Sequence, residues 1–214
     1  MSKLIVFVHG WGFDATVWDP IRSHLPEITT MTIDLGFCGA EESMPSLPPG
    51  DIMAIGHSLG FLWLLKNKPF GWDKLVSING FSKFLAADDF PSGLDARILK
   101  AMIEQCQKDA PAVLADFFKT CGLNESVATL NQERLTQGLE WLRDWDMRNA
   151  LSENKTPLLA LAGASDPITP SSLTEASFTG LKDSQLAWHD DGHLLPLSAP
   201  VWCADHIRNF IHQS

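Results

Sequence analysis

Residues 56–60 read Gly56-His57-Ser58-Leu59-Gly60, set between the apolar runs Ile52-Met53-Ala54-Ile55 and Phe61-Leu62-Trp63-Leu64-Leu65. That order predicts a strand, a G-x-S-x-G turn and a helix, the context in which such a motif carries meaning. In a turn of this kind the serine occupies a sharp strand-to-helix bend with strained backbone angles. Glycine is needed at 56 and 60 because a Cβ there would collide with the neighbouring strand and helix. The bend lifts the Ser58 hydroxyl clear of the sheet, and the Leu59 amide, at the helix start, faces the same space. Ser58 is the candidate nucleophile.

Two further stretches give the serine its partners. Leu4-Ile5-Val6-Phe7-Val8 is a buried-type strand that runs straight into His9-Gly10-Trp11-Gly12, a glycine turn able to approach the serine closely. The backbone amides of Trp11 and Leu59 are the candidate oxyanion hole. Leu158-Leu159-Ala160-Leu161-Ala162-Gly163-Ala164-Ser165-Asp166 is an apolar strand ending in an aspartate, and Gln185-Leu186-Ala187-Trp188 is a short strand followed by His189-Asp190-Asp191-Gly192-His193. Serine, then aspartate, then histidine, each at a strand end, is the chain order of the α/β-hydrolase fold.

A serine hydroxyl is a poor nucleophile at neutral pH and needs an adjacent base. His193 is expected to take its proton, and Asp166 to fix the imidazole tautomer and stabilise the imidazolium. His193 is preferred to His189 because it follows Asp191-Gly192, a turn able to project a side chain back over the crevice. Asp34 reads as a loop anchor, Asp190 and Asp191 as solvated turn residues, His9 as structural, and His57 as structural or pocket-lining. Cys38 reads as an inert thiol, and His206 and His212 as exposed on the last helix.

The 214 residues suffice for one domain with a sizeable core. Hydrophobic residues make up 45% and charged residues 20%, an ordinary globular composition. A net charge of −10 argues against nucleic acid or an anionic membrane surface as partner. No apolar run approaches the ~20 residues of a membrane span, and the first residues do not read as a signal peptide. The four cysteines, at 38, 106, 121 and 203, show neither metal spacing nor a tight disulfide framework, so reduced thiols in a cytoplasmic protein are expected. No metal or cofactor is expected.

Strands are predicted at 4–8, 30–34, 52–56, 74–79, 157–163 and 184–188. Helices are predicted at 18–25 (begun near Thr16), 59–67, 171–177 and 200–212. Alternating strands and helices imply a doubly wound, mostly parallel sheet whose ligand crevice lies at the strands' carboxyl ends. Residues 35–50 read as irregular, with a helix-length segment missing. Residues 81–155 break the alternation. There Leu94, Ile98, Leu99, Met102, Ile103 and Cys106 recur at helical spacing, as do Val113, Leu114, Phe117 and Phe118, and then Leu135, Leu139 and Leu142. Three or four amphipathic helices and no strand are predicted, forming a cap (81–155) on a core made of 1–80 and 156–214. Phe81, Phe84, Phe117, Phe118, Trp141 and Trp145 are candidates for the acyl pocket or the cap core; of these, Phe81, Phe117 and Trp141 are assigned to substrate binding.

The chain resembles the α/β-hydrolase superfamily over essentially its whole length, and within it the pimeloyl-[acyl-carrier-protein] methyl ester carboxylesterases of biotin synthesis. The likeness is carried by Val8-His9-Gly10-Trp11-Gly12 with Ala15-Thr16-Val17-Trp18, by residues 56–60, and by Asn79-Gly80-Phe81-Ser82. Gly138-Leu139-Glu140-Trp141-Leu142 with Asp146-Met147-Arg148 adds to it. The resemblance implies hydrolysis of a methyl ester on a carrier-bound acyl chain, with Trp11 and Leu59 at the oxyanion hole. It also implies docking of an acidic carrier through basic residues of the cap. Residues 81–155 hold nine basic side chains against twelve acidic ones, and Arg97, Lys100, Arg134 and Arg143 are the candidates. A generic short-chain esterase or thioesterase stays open as an alternative, as does a catalytically silent hydrolase scaffold used for binding.

Overall fold

The strands whose sequences are unbroken apolar runs occupy the middle of the sheet, as burial on both faces requires. The computed structural model describes residues 4–39, 46–47, 50–124 and 129–213. Its six described strands are β1 (Leu4–Val8), β2 (Thr29–Ile33), β3 (Ile52–His57), β4 (Lys74–Ile78), β5 (Leu158–Gly163) and β6 (Ser184–His189). They form one parallel sheet in the order β2-β1-β3-β4-β5-β6. β1, β3 and β5 are buried throughout, whereas the edge strands β2 and β6 are only partly covered. The register pairs Val8 with Gly56, and Gly56 with Ser77, so the carboxyl ends of the central strands finish side by side. From β1 the chain first steps outward to β2 and then returns to β3 on the other side. The crevice opened by that reversal lies above the ends of β1 and β3.

Around the sheet lie α1 (Asp19–Ser23), α2 (Leu59–Asn67), α7 (Ser171–Phe178), α8 (Leu195–Ser198) and α9 (Pro200–His212). Between β4 and β5 come α3 (Ala96–Cys106), α4 (Ala110–Thr120), α5 (Gln132–Asp144) and α6 (Arg148–Ser152). Asp95, Asp109 and Asn131 cap the first three of these, each side chain accepting a first-turn amide. The helices lean on the loop after β1. The Trp11 indole N–H donates to the Leu135 carbonyl at 2.8 Å, and a Cβ at Gly138 would lie 2.7 Å from the Trp11 ring.

Several sequence expectations change in detail. The helix expected over 18–25 is a 3-10 turn, Ala15–Trp18, followed by the short α1, because Asp14 caps at Thr16 and Pro20 restarts the turn. Leu94 precedes α3, since Asp95 is its cap. Ile98, read as part of a buried stripe, is 58% exposed. The stretch 81–155 also carries isolated bridges, Lys83 with Asp146 and Leu85 with Leu94, where no pairing was expected. α8 was not foreseen; it is a single turn begun by Leu195-Pro196. Of the stretch 35–50, read as irregular with a helix-length segment missing, residues 40–45 and 48–49 lie outside the described residues.

The turn after β3 leaves no room for a side chain. A Cβ at Gly60 would sit 2.2 Å from the Val8 carbonyl oxygen, and one at Gly56 2.4 Å from the backbone of Phe61. Gly71, by contrast, has open space around it. Gly60→Ala is therefore expected to lose about 3 kcal/mol or more of stability in urea titrations, against a change within about 0.5 kcal/mol for Gly71→Ala.

Candidate active site

Ser58 stands between β3 and α2 with φ 51° and ψ −120°, a left-handed region that disfavours non-glycine residues by roughly 1–3 kcal/mol. Its amide donates to the Ile78 carbonyl at 3.0 Å, which ties the turn to β4. Leu59 opens α2, so its amide lies among those with no acceptor inside the helix. The loop after β1 comes in from the other side, and a Cβ on Gly10 would lie 3.2 Å from the Ser58 Cβ. Trp11 and Ser58 line the same cavity.

Two loops from the far side of the sheet complete the arrangement. Asp166 follows β5 and His193 follows β6. The Ser58 hydroxyl lies 3.0 Å from His193 Nε2, and His193 Nδ1 lies 2.8 Å from Asp166 Oδ2. All three residues are buried. Asp166 Oδ1 accepts the amides of Ile168 (2.7 Å) and Thr169 (2.9 Å), while Oδ2 also accepts the Thr169 hydroxyl (2.6 Å) and the Asn79 side-chain amide (2.8 Å). Burial pushes the Asp166 carboxyl up. That push is outweighed by the imidazole of His193 and by the hydrogen bonds, and its pKa falls below the usual carboxylate value.

Asn79 and Thr169 were not singled out from sequence. Asn79 adopts φ 50° at the end of β4 and also reaches the Gly192 carbonyl at 3.3 Å. The readable signal for Thr169 was its place three residues after Asp166, where a side chain and two amides converge on one carboxylate.

The other polar residues hold loops. His57 is fully buried and its Nε2–H donates to the His193 carbonyl at 2.9 Å. Burial first, and then the neighbouring His193, drive its pKa down to about 3, so it stays neutral. His9 Nε2 accepts the Leu35 amide at 2.9 Å, and Asp34 accepts the amides of Ala15 and Gly36. His189 packs on Trp202 and pairs with Asp191 at 3.3 Å, away from Ser58. His206, expected to be exposed, is half-buried against Trp202, which lies one turn before it on α9. Cys38 is buried, donates to the Gly12 carbonyl, and has its pKa pushed up to about 12 chiefly by burial. Among the described residues no cluster of three His, Cys, Asp or Glu side chains is placed to hold a metal ion.

A cavity of about 500 Å³ opens beside Ser58. Phe81 and Phe84 line it from the segment after β4, Leu99 and Met102 from α3, Val113 and Phe117 from α4, and Leu139 and Leu142 from α5. Phe81 and Phe117 thus reach the cavity, but Trp141 does not. Leu139 and Leu142 occupy the inward face of α5, and Trp141, about 100° round the helix from its neighbour Leu142, stacks on Trp145 at 5.0 Å. Phe118 is core, stacked on Phe13.

The parallel sheet, the tight turn after β3 and the loops that converge on it define an α/β-hydrolase. Solved structures agree on the fold: an esterase from Exiguobacterium antarcticum matches 99% of the chain with a TM-score of 0.84 at 18% identity, covering 92% of that protein. A hydrolase from Oleispira antarctica matches all of the chain with a TM-score of 0.85 at 16% identity, again over 92% of its own length. No family model matches the chain. The pimeloyl-[acyl-carrier protein] methyl ester esterase of Aromatoleum aromaticum is 31% identical over 244 aligned positions, covering 97% of each protein. The enzyme of the same name from Legionella pneumophila (strain Corby) is 28% identical, covering 78% of this chain and 77% of its own. The chain belongs to the pimeloyl-[acyl-carrier protein] methyl ester esterase family, and it is an esterase.

The depressed pKa of His57 has a measurable consequence. An unfolded histidine binds a proton near pH 6.5 and the folded His57 does not, so the stability it contributes is complete above pH 6.5 and shrinks as pH falls towards 3. Between about pH 6 and about pH 5 the unfolding free energy of the wild type should fall more steeply than that of His57→Gln, by about 1.4 kcal/mol per pH unit. Parallel slopes in denaturant titrations would contradict the buried neutral state.

Proposed function

We propose that the chain is a serine carboxylesterase that works through an acyl-enzyme, and that its substrate is a pimeloyl methyl ester carried on acyl-carrier protein. The observation that carries the mechanism is the single file of Ser58 Oγ, His193 and Asp166 at 3.0 and 2.8 Å. His193 Nε2 accepts the Ser58 proton as Oγ attacks the ester carbonyl, and the resulting imidazolium is balanced by Asp166. The amides of Trp11 and Leu59 face the developing oxyanion, where one donor typically contributes roughly 3–4 kcal/mol to the transition state. His193 then passes its proton to the departing methoxide, which leaves as methanol. Water, deprotonated by the same imidazole, attacks the acyl carbon, and the imidazolium returns that proton to Ser58 Oγ as the carboxylic acid leaves. Asn79 and Thr169 position the Asp166 carboxylate and so, through it, the imidazole.

The substrate follows from the names of the relatives and from the shape of the site. An apolar cavity beside Ser58 suits a polymethylene chain, and its opening at the molecular surface suits a chain tethered to a carrier. In this reading residues 1–80 and 156–214 are the catalytic core, and residues 81–155 are a cap that supplies most of the cavity wall.

Turnover of p-nitrophenyl esters by the purified protein tests the mechanism. Ser58→Ala and His193→Ala are each expected to lower kcat by about 10³-fold or more, while His189→Ala stays within a few-fold of wild type. Loss of activity in His189→Ala with retention in His193→Ala would overturn the assignment of the base. For the substrate, demethylation of pimeloyl-carrier methyl ester should exceed that of the free methyl ester in kcat/KM; equal values would count against a carrier-bound substrate.

A further inference from the structure

Among the described lining residues the cavity walls are neutral, and the one ionisable side chain is an acid. Asp116 lies on the exposed side of α4, at the rim, with Gln105 and Thr120 as its polar company. The exposed Ile98 stands on the same rim. Among the described residues no lysine, arginine or histidine lines the cavity, and Asp116 forms no ion pair. The whole chain adds a charge of −10. A carboxylate entering this space would surrender its hydration to Phe81, Phe117 and Leu139 and find no cation in return.

We propose that the site selects esters whose acyl chain bears no negative charge, and that Asp116 sets part of this selection by repelling a carboxylate at the far end of the chain. This rests on the esterase reading above. With the methyl ester at Ser58, the distal end of a dicarboxylic chain points to the rim. There a thioester or a second ester is neutral and passes Asp116, whereas a free carboxylate meets a like charge. The filter gives the carrier linkage a second purpose: it masks the distal acid as well as presenting the chain.

The test compares dimethyl pimelate with monomethyl pimelate, at a pH where the half-ester is ionised, on wild type, Asp116→Asn and Asp116→Lys. Glu175→Gln, an exposed site on α7 outside the cavity lining, is the control for net charge. The wild type is expected to prefer the diester by at least about tenfold in kcat/KM. Asp116→Asn should shrink that preference by about 3- to 10-fold, Asp116→Lys should shrink it further, and both should act mainly through KM for the half-ester. Glu175→Gln should leave the ratio unchanged. The Asp116 effect should fade as ionic strength rises from about 0.01 M to about 1 M, where the screening length contracts from about 30 Å to about 3 Å. Turnover with a ratio that Asp116→Asn and Asp116→Lys leave unaltered overturns the charge filter alone. Failure of the wild type to hydrolyse either ester overturns the esterase reading itself.

Discussion

Two backbones meet at Gly60, where the first turn of α2 passes under the carbonyl of Val8 with no space for a Cβ. That approach holds the turn after β3 against the end of β1 and keeps Ser58 at a φ of 51° that a free chain would relax. Everything in the site is referenced to it. The Gly10-Trp11 loop reaches the serine because β1 and β3 are neighbours in register, and Leu59 follows the serine directly as the first residue of α2. The same crowding extends to the residues around the turn. Phe61 is bulky and fully buried, and the room for its ring comes from Gly80, where a Cβ would lie 2.7 Å from the Phe61 Cβ.

On the far side the difficulty is electrostatic. Asp166 and His193 are out of water, and an isolated carboxylate there would be protonated or would unfold its loop. Five donors on two oxygens keep it ionised, and they come from four places: the amides of 168 and 169, the Thr169 hydroxyl, the Asn79 side chain and His193 itself. His57 adds the complementary restraint. Its neutral ring ties the end of β3 to the backbone of the histidine loop, so the strand that leads into Ser58 also holds the loop that carries His193. The His57 and His193 rings lie side by side, their centres 5.0 Å apart.

The sheet was legible because its central strands are largely apolar runs of five or six residues ending in glycine-rich or acidic turns, and both period and punctuation survive in a single sequence. The elbow at 56–60 and the order serine, aspartate, histidine were legible for the same reason: each sits where a strand stops. Asn79 and Thr169 were not, because nothing local announces a side chain whose partner lies 87 positions away or one that serves a carboxylate three residues before it. The helices of 81–155 could be counted from their spacing, but their rotation could not. Ile98 fits the stripe of α3 and yet faces the rim, and Trp141 belongs to a helix whose inward face is leucine. Facing is set by the partner surface, which a helical period does not contain.

The joining of Ser58 and His193 through one hydrogen bond is most directly tested by treating the protein with a fluorophosphonate and mapping the adduct by peptide mass spectrometry. One phosphonyl group is expected, on Ser58, with labelling of His193→Ala slowed by about 10²-fold or more. An unmodified wild type, or an adduct on another residue, would contradict the account.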